Sequence, residues 1–262
     1  MKVIVMKGMR FVLMLLVVST PSSICGRRRH GLRVLYGRTD TQGKYPYVVA
    51  LVSYHYRQCT GTLLSSEWVL TAGHCIICDE CFATSIQYGD MTLLPNDTNN
   101  KSRILQMIRH PGYRDDELLN DIAMLKVEPV PLKWYGKLSA IDYEALIGHS
   151  VEYAGYGTTE NDADMKSNCR PLIIGEGVVR SCLDLYTDDN SPAPCLCVAP
   201  KCTNKQGDSA PGDSGGPLFY DGKIVGVVST GIEPIGLYAS VSPYMTWISQ
   251  VMYPPEKHVV FK

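Results

Sequence analysis

The chain has almost no excess of charge: 25 Lys and Arg stand against 26 Asp and Glu, for a formal net charge of -1. A protein that holds nucleic acid through its phosphates needs a basic surface, so the composition argues against a nucleic-acid partner. Long apolar runs are missing as well. The longest, Phe11-Val12-Leu13-Met14-Leu15-Leu16-Val17-Val18, is too short to span a bilayer, and no later stretch is long enough. There are no long internal repeats and no low-complexity segment, which excludes a repeat array.

What is present begins with an export pattern. Lys2, Lys7 and Arg10 precede that apolar run, and small residues follow it to Ser23, the charged, apolar, small-residue order of a secretory signal. Residues 1–23 are expected to be a signal peptide cleaved near Ser22 or Ser23, giving a secreted, extracellular protein. Ten cysteines in an exported chain read first as disulfides. Cys75, Cys78 and Cys81 also form a C-x2-C-x2-C run that would suit a metal, but an oxidising compartment favours bridges. The chain has 262 residues, enough for one large all-β domain or two small ones. From Tyr45 on, short β-branched and aromatic runs alternate with Gly, Pro, Asn and Asp. They place strands at 48–52, 67–71, 85–88, 104–108 and 122–127, then at 150–154, 177–179, 217–220, 224–229 and 236–241. Residues 137–147 read as the connection between the two sets, and 244–251 has helical spacing of Met245, Ile248 and Val251.

Three motifs carry the chemistry. Gly207-Asp208-Ser209-Ala210-Pro211-Gly212-Asp213-Ser214-Gly215-Gly216-Pro217 repeats Gly-Asp-Ser five residues apart. Its glycines let main-chain N–H groups converge on one point, as a developing oxyanion requires. Upstream stand Leu70-Thr71-Ala72-Gly73-His74-Cys75 and Asn120-Asp121-Ile122-Ala123-Met124-Leu125. Alone, the serine motif also fits the strand-to-helix elbow of another hydrolase fold, but that fold needs its His after the Ser. Only His258 follows Ser214, and too little chain remains to complete such a sheet.

With these motifs in the order His, Asp, Ser, the sequence resembles the chymotrypsin-like (trypsin) family of serine proteases, from about Val34 to Val251. The resemblance implies an all-β fold of two antiparallel six-stranded β-barrels with a short C-terminal helix, over residues 34–254, followed by a tail at 255–262. It implies His74, Asp121 and Ser214 as catalytic residues and the N–H groups of Gly212 and Ser214 as the oxyanion hole. It places Asp208, six residues before the nucleophile, on the floor of a pocket for Arg or Lys, with Gly231 and Gly236 as the glycines that keep the substrate-binding walls open and Ser229 before them near the triad. It makes residues 24–33 an activation propeptide, cut after Arg33 so that the Val34 amine pairs with Asp213. It pairs Cys59 with Cys75 and Cys182 with Cys197. The implied partners are a polypeptide substrate, an activating protease and protein inhibitors, with no cofactor or metal.

The chain departs from the family pattern at two bridges, each lost at both ends: one around Ala210 and the other at Val151 and Tyr220. Thr230 stands where the family usually has Trp, and the loop between Gly231 and Gly236 is several residues shorter than usual. These departures open two alternatives: a chymotrypsin-like or narrow-specificity protease, and a secreted protease homologue that acts as a binding protein. Cys78 with Cys81, Cys195 with Cys202 and Cys25 with Cys169 are candidate pairs for the other cysteines. Asn96-Asp97-Thr98 and Asn100-Lys101-Ser102 are N-glycosylation acceptors in a polar loop. His110 is expected on a surface loop, and His30, His55, His149 and His258 have no partner motif.

Overall fold

The computed structural model describes residues 37–53, 56–76, 83–115, 119–157, 170–182, 194–201, 212–232 and 235–255. The first six-stranded barrel consists of β2 (Val48–Ser53), β3 (Tyr56–Leu63), β4 (Trp68–Thr71), β5 (Ser85–Gln87), β6 (Lys101–Arg109) and β7 (Ala123–Val127), closed in the order β2-β3-β4-β7-β6-β5. The second takes β8 (Ser150–Gly155), β9 (Ile173–Arg180), β10 (Cys195–Pro200), β11 (Pro217–Tyr220), β12 (Lys223–Ile232) and β13 (Ile235–Ser240). Strand β8 pairs with both β9 and β11 and so closes the ring, while β1 (Arg38–Thr39) adds to the outer edge of β9. All the ladders are antiparallel. Residues 128–149 link the barrels, and helix α1 (Met245–Met252) follows a 3-10 turn at Ser242–Tyr244. Among the described residues, no helix is long and apolar enough to cross a membrane.

Burial explains the strand sequences. All six residues of β2, Val-Val-Ala-Leu-Val-Ser, are buried, so this strand reads as a continuous apolar run and not as an alternation. Leu51, Leu70, Ile86, Met124 and Leu125 fill the first barrel, while Leu146, Leu196, Leu218 and Tyr238 are among those filling the second. Three strands escaped the hydrophobic pattern, the first being β1, which is only two exposed residues long. Strand β3, Tyr-Arg-Gln-Cys-Thr-Gly-Thr-Leu, is polar, yet Thr60 and Thr62 are fully enclosed and Arg57 is buried. Strand β10 carries two cysteines and ends in Pro200. Asp221 (φ 49°) and Gly222 (φ 69°) form the two-residue link between β11 and β12. Both angles are positive, as a type I′ hairpin turn demands, and Asp-Gly is its sequence signal.

The barrels meet along a polar seam centred on Thr60. Its N–H donates to the carbonyl of Ser214 (2.8 Å), and its hydroxyl donates to the carbonyl of Gly212 (2.8 Å) and accepts from the N–H of Tyr156 (3.2 Å). The Tyr156 hydroxyl crosses back to the carbonyl of Val48 at 2.9 Å. A threonine can do this in a dry interface because its one hydroxyl both donates and accepts. Gly215 closes the seam: a Cβ there would lie 2.1 Å from Thr71 Oγ1 and 2.3 Å from the carbonyl oxygen of Thr60.

Gly215 (φ 81°) and Gly222 (φ 69°) share a left-handed backbone, but a Cβ at Gly222 meets nothing within 4 Å. Gly222→Ala should therefore cost only the conformational strain, about 1–2 kcal/mol. Gly215→Ala should cost roughly 3 kcal/mol or more, because backbone on the facing barrel must move. Urea unfolding midpoints of the two variants test this, and equal losses would show that the seam has room to spare.

Candidate active site

Asp121 follows β6 and immediately precedes Ile122 and β7, and only 1% of its surface is exposed. A buried carboxylate is tolerated when its lone pairs are met by donors, and three donors meet this one. The Nδ1 of His74 lies 2.7 Å from Oδ2, the backbone N–H of His74 donates to Oδ1 at 2.8 Å, and the Ser229 hydroxyl donates to Oδ2 at 2.5 Å. An ionised carboxylate only accepts, so Nδ1 must carry its proton and Nε2 is left as the basic nitrogen. His74 begins the 3-10 turn His74–Ile76 at the end of β4, with its side chain 25% exposed. The disulfide from Cys75 to Cys59 on β3 fastens that turn to the barrel wall.

Ser229, expected before the pocket glycines and near the triad, turns its hydroxyl to Asp121. The cause is a register shift in the β12–β13 ladder, where Val228 pairs with Tyr238 and Thr230 with Leu237, leaving Ser229 as the extra residue. Such bulges re-aim a side chain. Nothing in the local sequence announces one here.

Ser214 sits at the tip of a tight turn in which the N–H of Gly216 donates to the carbonyl of Asp213 at 2.8 Å. Gly215 in the third position of this turn has φ 81°, the requirement of a type II turn. Gly212 has φ 102°, and its missing side chain lets Gly157 approach to 3.1 Å of where a Cβ would be. The Cys75 sulfur joins the two halves of the site, lying 3.6 Å from the Ser214 carbonyl oxygen and 3.9 Å from His74 Nε2. Residues from both barrels therefore converge here: His74 and Asp121 from the first, Ser214 and Ser229 from the second.

Asp213 points away from this cleft into the second barrel and is 1% exposed. Its Oδ1 accepts the N–H of Gly157 at 2.7 Å, and a Cβ at either Gly155 or Gly157 would collide with the carboxylate. The two glycines thus shape a socket for one acidic side chain.

Gly231 and Gly236 are direct register partners, and β12 and β13 continue past them to Ile232 and Ile235. Asp208 lies outside the described residues, as do Arg33, Val34, Cys25, Cys78, Cys81, Cys169, Cys202, His30, His55 and His258. Both expected disulfides form, Cys59 with Cys75 and Cys182 with Cys197. Cys195 Sγ lies 3.2 Å from Cys182 Sγ. Asn96 and Asn100 are exposed. His110 lies in the loop directly after β6 and is half-buried: its ring lies edge-on to Tyr244 and Trp247, both at 5.1 Å between centroids, and burial pulls its pKa down.

Comparison with known proteins agrees with this architecture. The family model described as Trypsin matches residues 34–248. Kallikrein-7 of Homo sapiens is 27% identical over 256 residues, covering 92% of this chain and 95% of that protein. Trypsin I-P1 of Gallus gallus is 28% identical over 231 residues, covering 84% and 89%. Serine protease 1 of Canis lupus familiaris is 28% identical over 237 residues, covering 84% and 90%. With the family match spanning most of its length and both barrels closed as the resemblance implied, the chain belongs to the trypsin family of serine proteases.

Proposed function

We propose that the protein is a secreted serine endopeptidase, made as a zymogen, that hydrolyses peptide bonds through His74, Asp121 and Ser214. One observation carries the reading: the His74 ring is bonded through Nδ1 to the buried Asp121 carboxylate, which leaves Nε2 as its basic nitrogen. Ser214 Oγ attacks the scissile carbonyl carbon while His74 Nε2 takes the hydroxyl proton. The carbonyl oxygen becomes an oxyanion facing the N–H groups of Gly212 and Ser214, each such donor worth roughly 3–4 kcal/mol in other enzymes. His74 returns the proton to the amine as the C–N bond breaks. Water then repeats the sequence on the acyl-enzyme and restores Ser214.

The zymogen reading rests on the Asp213 socket and on the family match, which begins at Val34. Cleavage after Arg33 releases an amine at that residue. A buried amine is strongly penalised unless a carboxylate pairs with it, and Asp213 is the acidic group adjoining the nucleophile. Residues 1–23 as a signal peptide and 24–33 as a propeptide complete the precursor, with an activating protease as its first partner. Asn96 and Asn100 are exposed as glycan acceptors should be.

For specificity, Asp208 at the base of the pocket selects Arg or Lys, since an apolar side chain would leave its charge unpaired. The second reading, narrow specificity, rests on Thr230 and on the short segment between Gly231 and Gly236.

Peptide amides with Arg, Lys, Phe or Leu before the scissile bond, offered to protein cut after Arg33, decide among these readings. Cleavage after Arg and Lys is expected. Cleavage after Phe or Leu instead would remove Asp208 from its role, and a protein that cleaves none of them would revive the binding-protein alternative. Ser214→Ala should lower kcat by about 10⁴-fold or more. Asp121→Asn should lose about 10⁴-fold, because an amide cannot accept from all three donors and favours the imidazole tautomer with its proton on Nε2. A second prediction concerns activation: Arg33→Gln protein should stay inactive under conditions that activate the wild type. Full activity without a new Val34 N-terminus would refute the zymogen.

A further inference from the structure

Asn120, immediately before Asp121, has φ 52° and is one of two non-glycine residues with positive φ among those described. Asparagine tolerates this region better than most side chains, but the conformation still needs holding. Both ends of its amide are held. Its Nδ2 donates to the carbonyl of Gly112 at 2.7 Å, and its Oδ1 accepts the hydroxyl of Tyr244 at 3.0 Å. Tyr244 closes the 3-10 turn that leads into α1, so this bond reaches from the C-terminal helix to the residue beside Asp121.

The contacts continue around a closed circuit. His110 packs edge-on against Tyr244 and Trp247, and its Nδ1 accepts the N–H of Gly112 at 3.2 Å, which fixes the turn carrying the Gly112 carbonyl. The next residue, Tyr113, lays its ring over Gly73, where a Cβ would fall 2.7 Å from Tyr113 Cδ2 and 3.2 Å from Asp121 Oδ1. Gly73 adjoins His74, and His74 is bonded back to Asp121. Burial, then the Asp121 charge, raises the pKa of the Tyr244 hydroxyl, so it stays protonated and donates.

We propose that Asn120 is a positioning residue: through its bonds to Tyr244 and Gly112, the C-terminal helix sets the orientation of Asp121 and hence of His74. The proposal rests on the serine-protease reading of the site. A reversed φ at Asn120 would swing the Asp121 carboxylate out of line with His74 Nδ1 and Ser229 Oγ. Because the amide is tied on both sides, the circuit resists that swing without any contact between Asn120 and substrate.

The test uses the full chain, cut after Arg33, as Asn120→Gly, Tyr244→Phe and the double variant. Glycine accepts φ 52° without strain but makes neither side-chain bond; phenylalanine keeps the aromatic packing and loses only the hydroxyl. Tyr244→Phe should lower kcat by roughly three- to tenfold, the scale of one lost hydrogen bond, and Asn120→Gly, which loses two, by at least as much, with KM unchanged in both. The double variant should be no worse than Asn120→Gly, since both changes break the same link. The proton on His74 Nδ1 gives a second readout that needs no turnover. Its downfield NMR resonance, recorded in a Ser214→Ala background, should shift or broaden in both single variants. If the cut wild type cleaves no peptide, the proposed function fails while this resonance still decides the positioning role. Unchanged kcat in both variants, losses that multiply in the double variant, or an unaltered resonance would each overturn the proposal.

Discussion

The buried carboxylate of Asp121 is the constraint on which the site depends. Enclosing a charge in a protein interior is costly unless donors surround it, and here three donors come from two places in the chain: the backbone and ring of His74 and the hydroxyl of Ser229. His74 belongs to the first barrel and Ser229 to the second. The carboxylate is therefore satisfied only when the barrels are docked. In the proposed mechanism, the same three bonds that make burial tolerable also fix the imidazole tautomer. Stability and the chemistry of the base then have one origin.

Docking in turn depends on Thr60 and Gly215. Thr60 binds the backbone on both sides of Asp213, at Gly212 and Ser214, so the turn that presents Ser214 is held from the opposite barrel. Gly215 permits this because even one added carbon would strike Thr60 and Thr71. The glycine-rich motif has two separate tasks. Gly212 and Gly215 supply left-handed backbone angles for the turn, and Gly215 also supplies close approach between the barrels.

How much of this was legible in the sequence follows from the physics of each part. Strands such as β2 and β7 show themselves because they are apolar and buried. Strand β3 does not, since its inward threonines are accommodated by hydrogen bonds that hydrophobic patterning cannot register. The approximate positions of His74, Asp121 and Ser214 could be read because motif order and flanking glycines are local features. Ser229's contact with Asp121 could not, because it arises from a bulge defined by pairing with β13. The loop position of His110 after β6 is a local feature, but its contacts with Tyr244 and Trp247 are not, since those residues lie more than a hundred positions downstream.

The shortened segment after Gly231 shows how a change in pairing can alter a site while leaving its chemistry in place. Strands β12 and β13 run on together to Ile232 and Ile235, so backbone groups that a longer loop would leave for other partners are used within the hairpin. Ser229 lies only two residues before Gly231 on the same strand, so the strand that orients Asp121 also forms the edge assigned to the pocket. Pairing with β13 holds the strand that carries Ser229, and through its hydroxyl the carboxylate. Support for Asp121 and the edge assigned to the proposed pocket thus share one ladder. A change that widened the pocket by breaking β12–β13 pairing would also loosen the hydroxyl that Asp121 needs.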